Sequence, residues 1–417
     1  MSSATMPSSR IFYGWFVVAA AFAVTFVGFG CAFSFSAFVE PLQREFGASR
    51  GSVSLVFSLA GFLYFGLGAV SGPLADRLGS RRLVVAGMVL TGLGLAAAGA
   101  ARSLAAVYAA YGLGVGFGIG FAYVPAIGVV QRWFFRRRGF ASGLAVSGIG
   151  VGTLAMPPLA TLLISTIGWR GAYFTLGALV AVVGGGLALL IENDPRDRGL
   201  GPDGDPPPSG VQPARREGAT VGEAIRSPRF ISLYAACLIA SFGGFVPFVH
   251  LVPYARDHGI APASAVLLLS TIGIGSTAGR FTLGGLADRI GRQSSLLLMI
   301  SGMTLALAIW VVATSFWSLT VFALVFGLFY GGWVAILPAV VMDSFGSRNV
   351  SGIIGILYSS VALGTLIGPS AAGFAFDLSH TYTLPILASA GTNIVAAIIL
   401  VAMSRTNRVT NEAGGRA

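Results

Sequence analysis

The chain contains no lysine: all 26 of its basic residues are arginine. It has two cysteines, three histidines and only 10% charged residues in a length of 417. Each scarcity excludes something. Soluble domains carry about 25% charged residues, so this composition excludes an ordinary water-soluble fold. Cys31 and Cys237 both lie in apolar runs, which fits small hydrophobes and argues against a disulfide or metal pair. His250, His258 and His380 are scattered, so neither a metal cluster nor an intramembrane enzyme site is expected, and no cofactor. The formal net charge of +11 comes without lysine-rich runs and without a soluble domain to form a groove. It reads as membrane topology, not as a nucleic-acid surface.

What is present is apolar length, at 55% hydrophobic residues. About 20 apolar residues cross a bilayer core. On that rule the first six spans are near 11–39, 52–75, 83–101, 104–131, 140–166 and 172–192. The second six are near 229–256, 263–286, 294–313, 316–342, 350–376 and 381–403. The first run is too long for a signal-peptide core and is expected to be an uncleaved helix. The break at 193–226 is rich in proline, glycine and charge, as a flexible linker would be, and 220–226 suits a short interfacial helix. The expected units are therefore 1–192, the linker 193–226, and 227–417.

With both termini cytoplasmic, twenty arginines fall on the inner side and only Arg44, Arg50, Arg102, Arg170 and Arg256 on the outer. That asymmetry sets the orientation. The halves also repeat. Gly72-Pro73-Leu74-Ala75-Asp76-Arg77-Leu78-Gly79 recurs as Gly284-Gly285-Leu286-Ala287-Asp288-Arg289-Ile290-Gly291, an offset of 212. At the same offset Gly152-Thr153-Leu154 matches Gly364-Thr365-Leu366, and Pro157 matches Pro369. Six-helix repeats of this kind build a substrate site at the membrane midplane, between halves that rock around it.

Arg280 stands alone in the apolar run 267–286. Eight residues before Asp288, it lies ~12 Å from the cytoplasmic loop at 1.5 Å per residue. A charge at that depth costs roughly 2.5–3.5 kcal/mol on insertion scales and marks a cavity with a partner. A guanidinium stays protonated, and its fork matches a carboxylate. An organic anion is the expected cargo. Phe33, Tyr123, Tyr330, Trp333 and Tyr358 fall at depths where they could wall the same cavity. His250 and Asp257, seven residues apart on one face of span 7 with Pro253 between them, are candidates for proton coupling. The run Gly114-Val115-Gly116-Phe117-Gly118-Ile119-Gly120 lacks the strand of a phosphate loop and reads as close helix packing.

The loop Gly72–Arg82 resembles the signature of the major facilitator superfamily. Tyr13-Gly14-Trp15-Phe16-Val17-Val18 and the stretch from Trp133 to Ala145 are similar to the monocarboxylate transporter family, which also includes bacterial oxalate–formate exchangers. The resemblance implies that Arg280 binds the substrate carboxylate. It also implies that Asp76, Arg77, Arg81 and Arg82, with Asp288, Arg289 and Arg292, latch the cytoplasmic side. The exchangers' second cation, a lysine in span 11, has no counterpart here, which argues for one carboxylate per substrate. Animal members place a lysine in span 1 and an aspartate one turn before the span-8 arginine. Here 29–38 holds no charge and the latter position is Ser276.

The expectation is an all-α membrane protein of twelve helices in two pseudo-symmetric halves. It would be a monomeric secondary transporter, a proton symporter of lactate, pyruvate or a similar acid, with an oxalate–formate type exchanger as the alternative, in a bacterial inner membrane among its lipids. A substrate sensor would add a signalling domain, and a 34-residue linker is too short for one.

Overall fold

A computed structural model describes residues 12–205, 218–346 and 349–414. Within these, the side chains of Asp76, Arg138, Asp288, Val350, Ser351 and 403–414, and the surroundings of Gly284 and Gly285, lie outside the description. Ten described helices are long and apolar enough to cross a membrane, and the bent pair Arg50–Gly66 and Gly68–Ala75 makes an eleventh crossing. One of the ten, Gly139–Ala188, has 50 residues, roughly 75 Å of helix and more than two bilayer cores. It breaks at Gly168, whose φ of 74° and ψ of 167° no helix contains. Counting that helix as spans 5 and 6 gives twelve. Gly168 is where the chain turns back, a conformation that glycine adopts without a Cβ penalty.

The remaining spans are Gly14–Ala37 (span 1), Ser80–Gly99 (3), Leu104–Trp133 (4), Pro228–Asp257 (7) and Pro262–Ile290 (8). Arg292–Val312 (9), Phe316–Phe345 (10), Val350–Ser379 (11) and Thr383–Gly414 (12) complete the second half. Span 1 packs on span 5 and span 8 on span 10, within their halves. Spans 2 and 11, and spans 5 and 8, join the halves. The span-4 glycines serve as packing surfaces: Gly116 and Gly120 face Leu63 and Leu67, and Gly118 faces Gly87 and Thr91. Cys31 and Cys237 are both buried.

Residues 193–205, after span 6, make contacts that their composition does not predict. Asp194 caps the turn Pro195–Arg198, and the Asp203 carboxylate accepts from the backbone N–H groups of Phe135 and Arg136 at 3.0 and 2.8 Å. Asp205 pairs with Arg136. These carboxylates find donors in the loop between spans 4 and 5, which composition alone does not reveal. The helix expected before span 7 is Val221–Arg226, with Thr220 and Glu223 forming a reciprocal cap.

Candidate functional site

Arg280 is 6% exposed, inside the interface between the halves. Its Nη1 donates to the Val146 carbonyl of span 5, in the opposite half. Its Nε and Nη2 meet no acceptor among the described residues. The two orphaned nitrogens share one edge of the guanidinium, the edge that grips both oxygens of a carboxylate. Buried donors are almost always satisfied, so two such nitrogens on one buried edge are exceptional. The cavity is lined by Arg280 with Tyr123, Tyr330, Trp333, Phe33 and Tyr358, which the sequence reading had marked, and by Phe29, Phe65, Ile149, Phe245, Val334, Leu337 and Val361. Among these lining residues Arg280 is the one charge. The indole Nε1 of Trp333 is a further buried donor without a partner among the described residues.

Rings from both halves close around this space. Phe33 stacks on Phe248 at 4.5 Å between centroids, and Phe65 meets Phe245 at 5.4 Å. Tyr123 packs edge-on to Phe29 at 4.9 Å, and Tyr330 lies 6.2 Å from Trp333. About 20 Å³ remains for the centres of water molecules, room for one water at most. This conformation is contracted around the cavity.

At the end of the bundle that holds the start of span 2 and the end of span 7, the halves are latched. Arg50, at the start of span 2, grips Asp257 at the end of span 7 with two hydrogen bonds of 2.5 and 2.7 Å. The same guanidinium donates to the Tyr382 hydroxyl at 3.1 Å and lies 4.1 Å from the Phe376 ring centroid. Asp377 of span 11 accepts from the backbone N–H groups of Arg50 and Gly51 at 3.0 and 2.8 Å, capping span 2 from across the interface. His250, fully buried, joins the network. Its Nε2 lies 2.8 Å from the Pro369 carbonyl, which can only accept, so Nε2 carries the proton. Nδ1 then accepts from the Tyr382 hydroxyl at 3.0 Å. Ser54 of span 2 stands 3.4 Å from Nε2. His250 and Asp257 are thus linked through Arg50 and Tyr382, and the cation beside Asp257 is Arg50. His258 and His380 are exposed.

Arg50, Asp377 and Tyr382 escaped the sequence reading because nothing local marks them: Arg50 looks like one more outer-face arginine. If the latch holds these ends together, Arg50→Gln removes the fork and the charge. Amide hydrogen exchange at 50–58 and 369–382 is then expected to quicken about tenfold, the equivalent of ~1.4 kcal/mol. Unchanged exchange in these segments would leave Arg50 a surface ion pair of little consequence.

A family model described as Major Facilitator Superfamily matches residues 20–311 and 231–416. Human monocarboxylate transporter 11 is 31% identical over 403 residues, covering 94% of this chain and 83% of its own. Zebrafish (Danio rerio) monocarboxylate transporter 12-B is 30% identical over 416 residues, covering 94% and 87%. The chain belongs to the monocarboxylate transporter family of the major facilitator superfamily. It is a multi-pass membrane transporter, not an enzyme. Among solved structures, a bacterial homologue of the human lysosomal transporter Spinster, inward-facing and unoccupied, shares the fold with a TM-score of 0.73 at 18% identity, covering 95% of this chain and 98% of its own.

The arginines of the two repeated loops, 72–82 and 284–292, pair within their own halves where partners are shown. Arg81 pairs with Glu192 at 2.6 Å and donates from Nε to the Ile191 carbonyl at 2.6 Å, both in its own half. In the second half Arg292, one position before the counterpart of Arg81, reaches Asp343 at 3.1 Å, also within its half. Arg77, Arg82 and Arg289 are exposed, while the side chains of Asp76 and Asp288 lie outside the described residues. Ser276, one turn before Arg280, is buried at the close contact with Gly331 of span 10.

Proposed function

We propose that this transporter carries a small monocarboxylate, such as lactate or pyruvate, together with a proton by alternating access. The observation that carries the reading is the unpaired Nε–Nη2 edge of Arg280 facing a cavity with no other charge in its lining. One cation suits one carboxylate, and the aromatic and aliphatic walls suit a short apolar body. The relatives, monocarboxylate transporters by name, point the same way. A second carboxylate, as in oxalate, would find no second cation in the lining.

Moving an anion with one proton is electroneutral, and each pH unit supplies about 1.4 kcal/mol, a tenfold gradient. His250 and Asp257 are the residues of proton coupling in this reading, and Asp76, Arg77, Arg81, Asp288, Arg289 and Arg292 the inner gate. The protein works as a monomer in a bacterial inner membrane, with termini and linker cytoplasmic.

The test is uptake of radiolabelled L-lactate into proteoliposomes with and without an inward proton gradient. One pH unit is expected to drive accumulation about tenfold above equilibration. Uptake indifferent to the gradient would remove the symport. Counterflow of oxalate against formate without lactate uptake would make the protein an exchanger.

A further inference from the structure

We propose that a proton binding at Nδ1 of His250 opens the Arg50–Asp257 latch, with the Tyr382 hydroxyl as the relay between them. The proposal deepens the proton-coupled reading above: it chooses between the two coupling candidates and names what joins the proton to the movement of the halves.

His250 is fully buried and held at both ring nitrogens. Its Nε2–H donates to the Pro369 carbonyl at 2.8 Å, which leaves the lone pair on Nδ1. The Tyr382 hydroxyl, 3% exposed, lies 3.0 Å from Nδ1 and accepts from Arg50 at 3.1 Å. A hydroxyl has one proton, and with Arg50 donating to its oxygen that proton goes to Nδ1. The chain from Arg50 through Tyr382 and His250 to Pro369 therefore runs in one direction, and only for a neutral ring. A proton on Nδ1 turns that nitrogen into a donor. Tyr382 then faces donors on both sides, and its own O–H has to turn away. Asp257 offers no such entry, because Arg50 grips both of its oxygens and a proton there requires the latch to break first.

The charges act in the same sense. The latch joins one cation of the first half, Arg50, to two carboxylates of the second, Asp257 and Asp377. His250 belongs to the second half. Once protonated, it gives that half a cation of its own, which competes with Arg50 for the carboxylates and repels it across Tyr382. The remaining groups around span 7 do not offset this. Ser54 of span 2 and Tyr254 of span 7 are neutral, and Glu40 is paired with Arg256 at 3.3 Å. Span 8, packed on the same helix, brings only Arg280, at the midplane cavity. By linkage, the form in which the ring reaches water binds the proton more tightly, so acid favours opening. An imidazole in water titrates near pH ~6.5, which makes opening about tenfold more favourable at pH 5.5 than at pH 7.5.

The experiment measures amide protection factors at 50–58 and 369–382 at those two pH values, for wild type, His250→Gln and Asp257→Asn. Protection factors divide out the chemical pH dependence of exchange. Wild-type protection is expected to fall about tenfold at the lower pH. Glutamine can donate to Pro369 and accept from Tyr382 without titrating. His250→Gln should therefore stay within about threefold of wild type at pH 7.5 and lose the pH response. Asp257→Asn removes the charged grip, so its protection should be low at both values. A wild type without a pH response, or a tenfold response that survives in His250→Gln, overturns the proposal. A response lost in Asp257→Asn and kept in His250→Gln would give the proton to Asp257 instead. Should His250→Gln fold poorly, Tyr382→Phe decides: it keeps the titrating ring and removes the relay, and an undiminished response there overturns the proposal. Lactate uptake indifferent to a proton gradient, in a protein whose latch still responds through His250, would remove the symport reading and leave this one standing.

Discussion

Uptake of L-lactate by the Arg280→Ala protein is expected to fall at least a hundredfold. The substitution removes two charge-assisted hydrogen bonds in a site closed to water, each worth about 1.5–3 kcal/mol. Together they represent about 3–6 kcal/mol, or more than two powers of ten in the binding step. Arg280→Lys separates charge from shape. A lysine supplies the positive charge as a point and cannot form the planar fork, so it is expected to recover part of the loss and to bind with a weaker apparent affinity. Because Nη1 also ties span 8 to Val146 of span 5, the thermal midpoint of each variant has to be measured alongside transport. A folded Arg280→Ala protein transporting within about twofold of wild type, a difference of only ~0.4 kcal/mol, would remove Arg280 from the site.

Gly279→Val is expected to abolish the folded protein. A Cβ at this position would overlap the Leu328 carbonyl oxygen of span 10, which is backbone and cannot swing aside. The seam is glycine on both sides: Gly275 also faces Leu324, while Gly327 and Gly331 of span 10 face Ile272 and Ser276 of span 8. Spans 8 and 10 can only accept a side chain by separating along this length. Overpacking ordinary cores already costs about 1–3 kcal/mol, and a collision between two backbones exceeds that. The measurement is the yield of monodisperse protein and its thermal midpoint in detergent. Gly186→Ala is the control: a Cβ there meets no atom within 4 Å, and alanine within a helix gains about 0.5–1 kcal/mol over glycine. A Gly279→Val protein as stable as that control would mean that the two helices are not held at contact distance.

Arg280 was legible from sequence because it breaks a rule. One charge in an apolar run needs a reason, and its depth follows from helical rise. The aromatic wall was legible by the same measure of depth, and the structure brings Phe33, Tyr123, Tyr330, Trp333 and Tyr358 to one cavity with it. The turn at Gly168 divides the long helix where the apolar run pauses at Ile167-Gly168-Trp169-Arg170. The latch was not legible. Arg50 finds Asp257 207 residues away and Asp377 327 away, and no period or spacing encodes such pairings. The start of the linker was misread for a related reason. Proline and charge signal disorder only while the charges lack partners, and Asp203 and Asp205 have theirs at 135–136.

The burial of both native thiols makes the molecule close to chemically silent toward maleimides in its folded form. Cys31 and Cys237 are each 2% exposed, within spans 1 and 7. Paired reporter dyes can therefore be attached at introduced cysteines on the otherwise unaltered protein. Arg102 and Thr381 are exposed positions in the loops after spans 3 and 11, in opposite halves. Arg102→Cys and Thr381→Cys, labelled together, would let the separation of those loops be followed by energy transfer in single molecules during turnover.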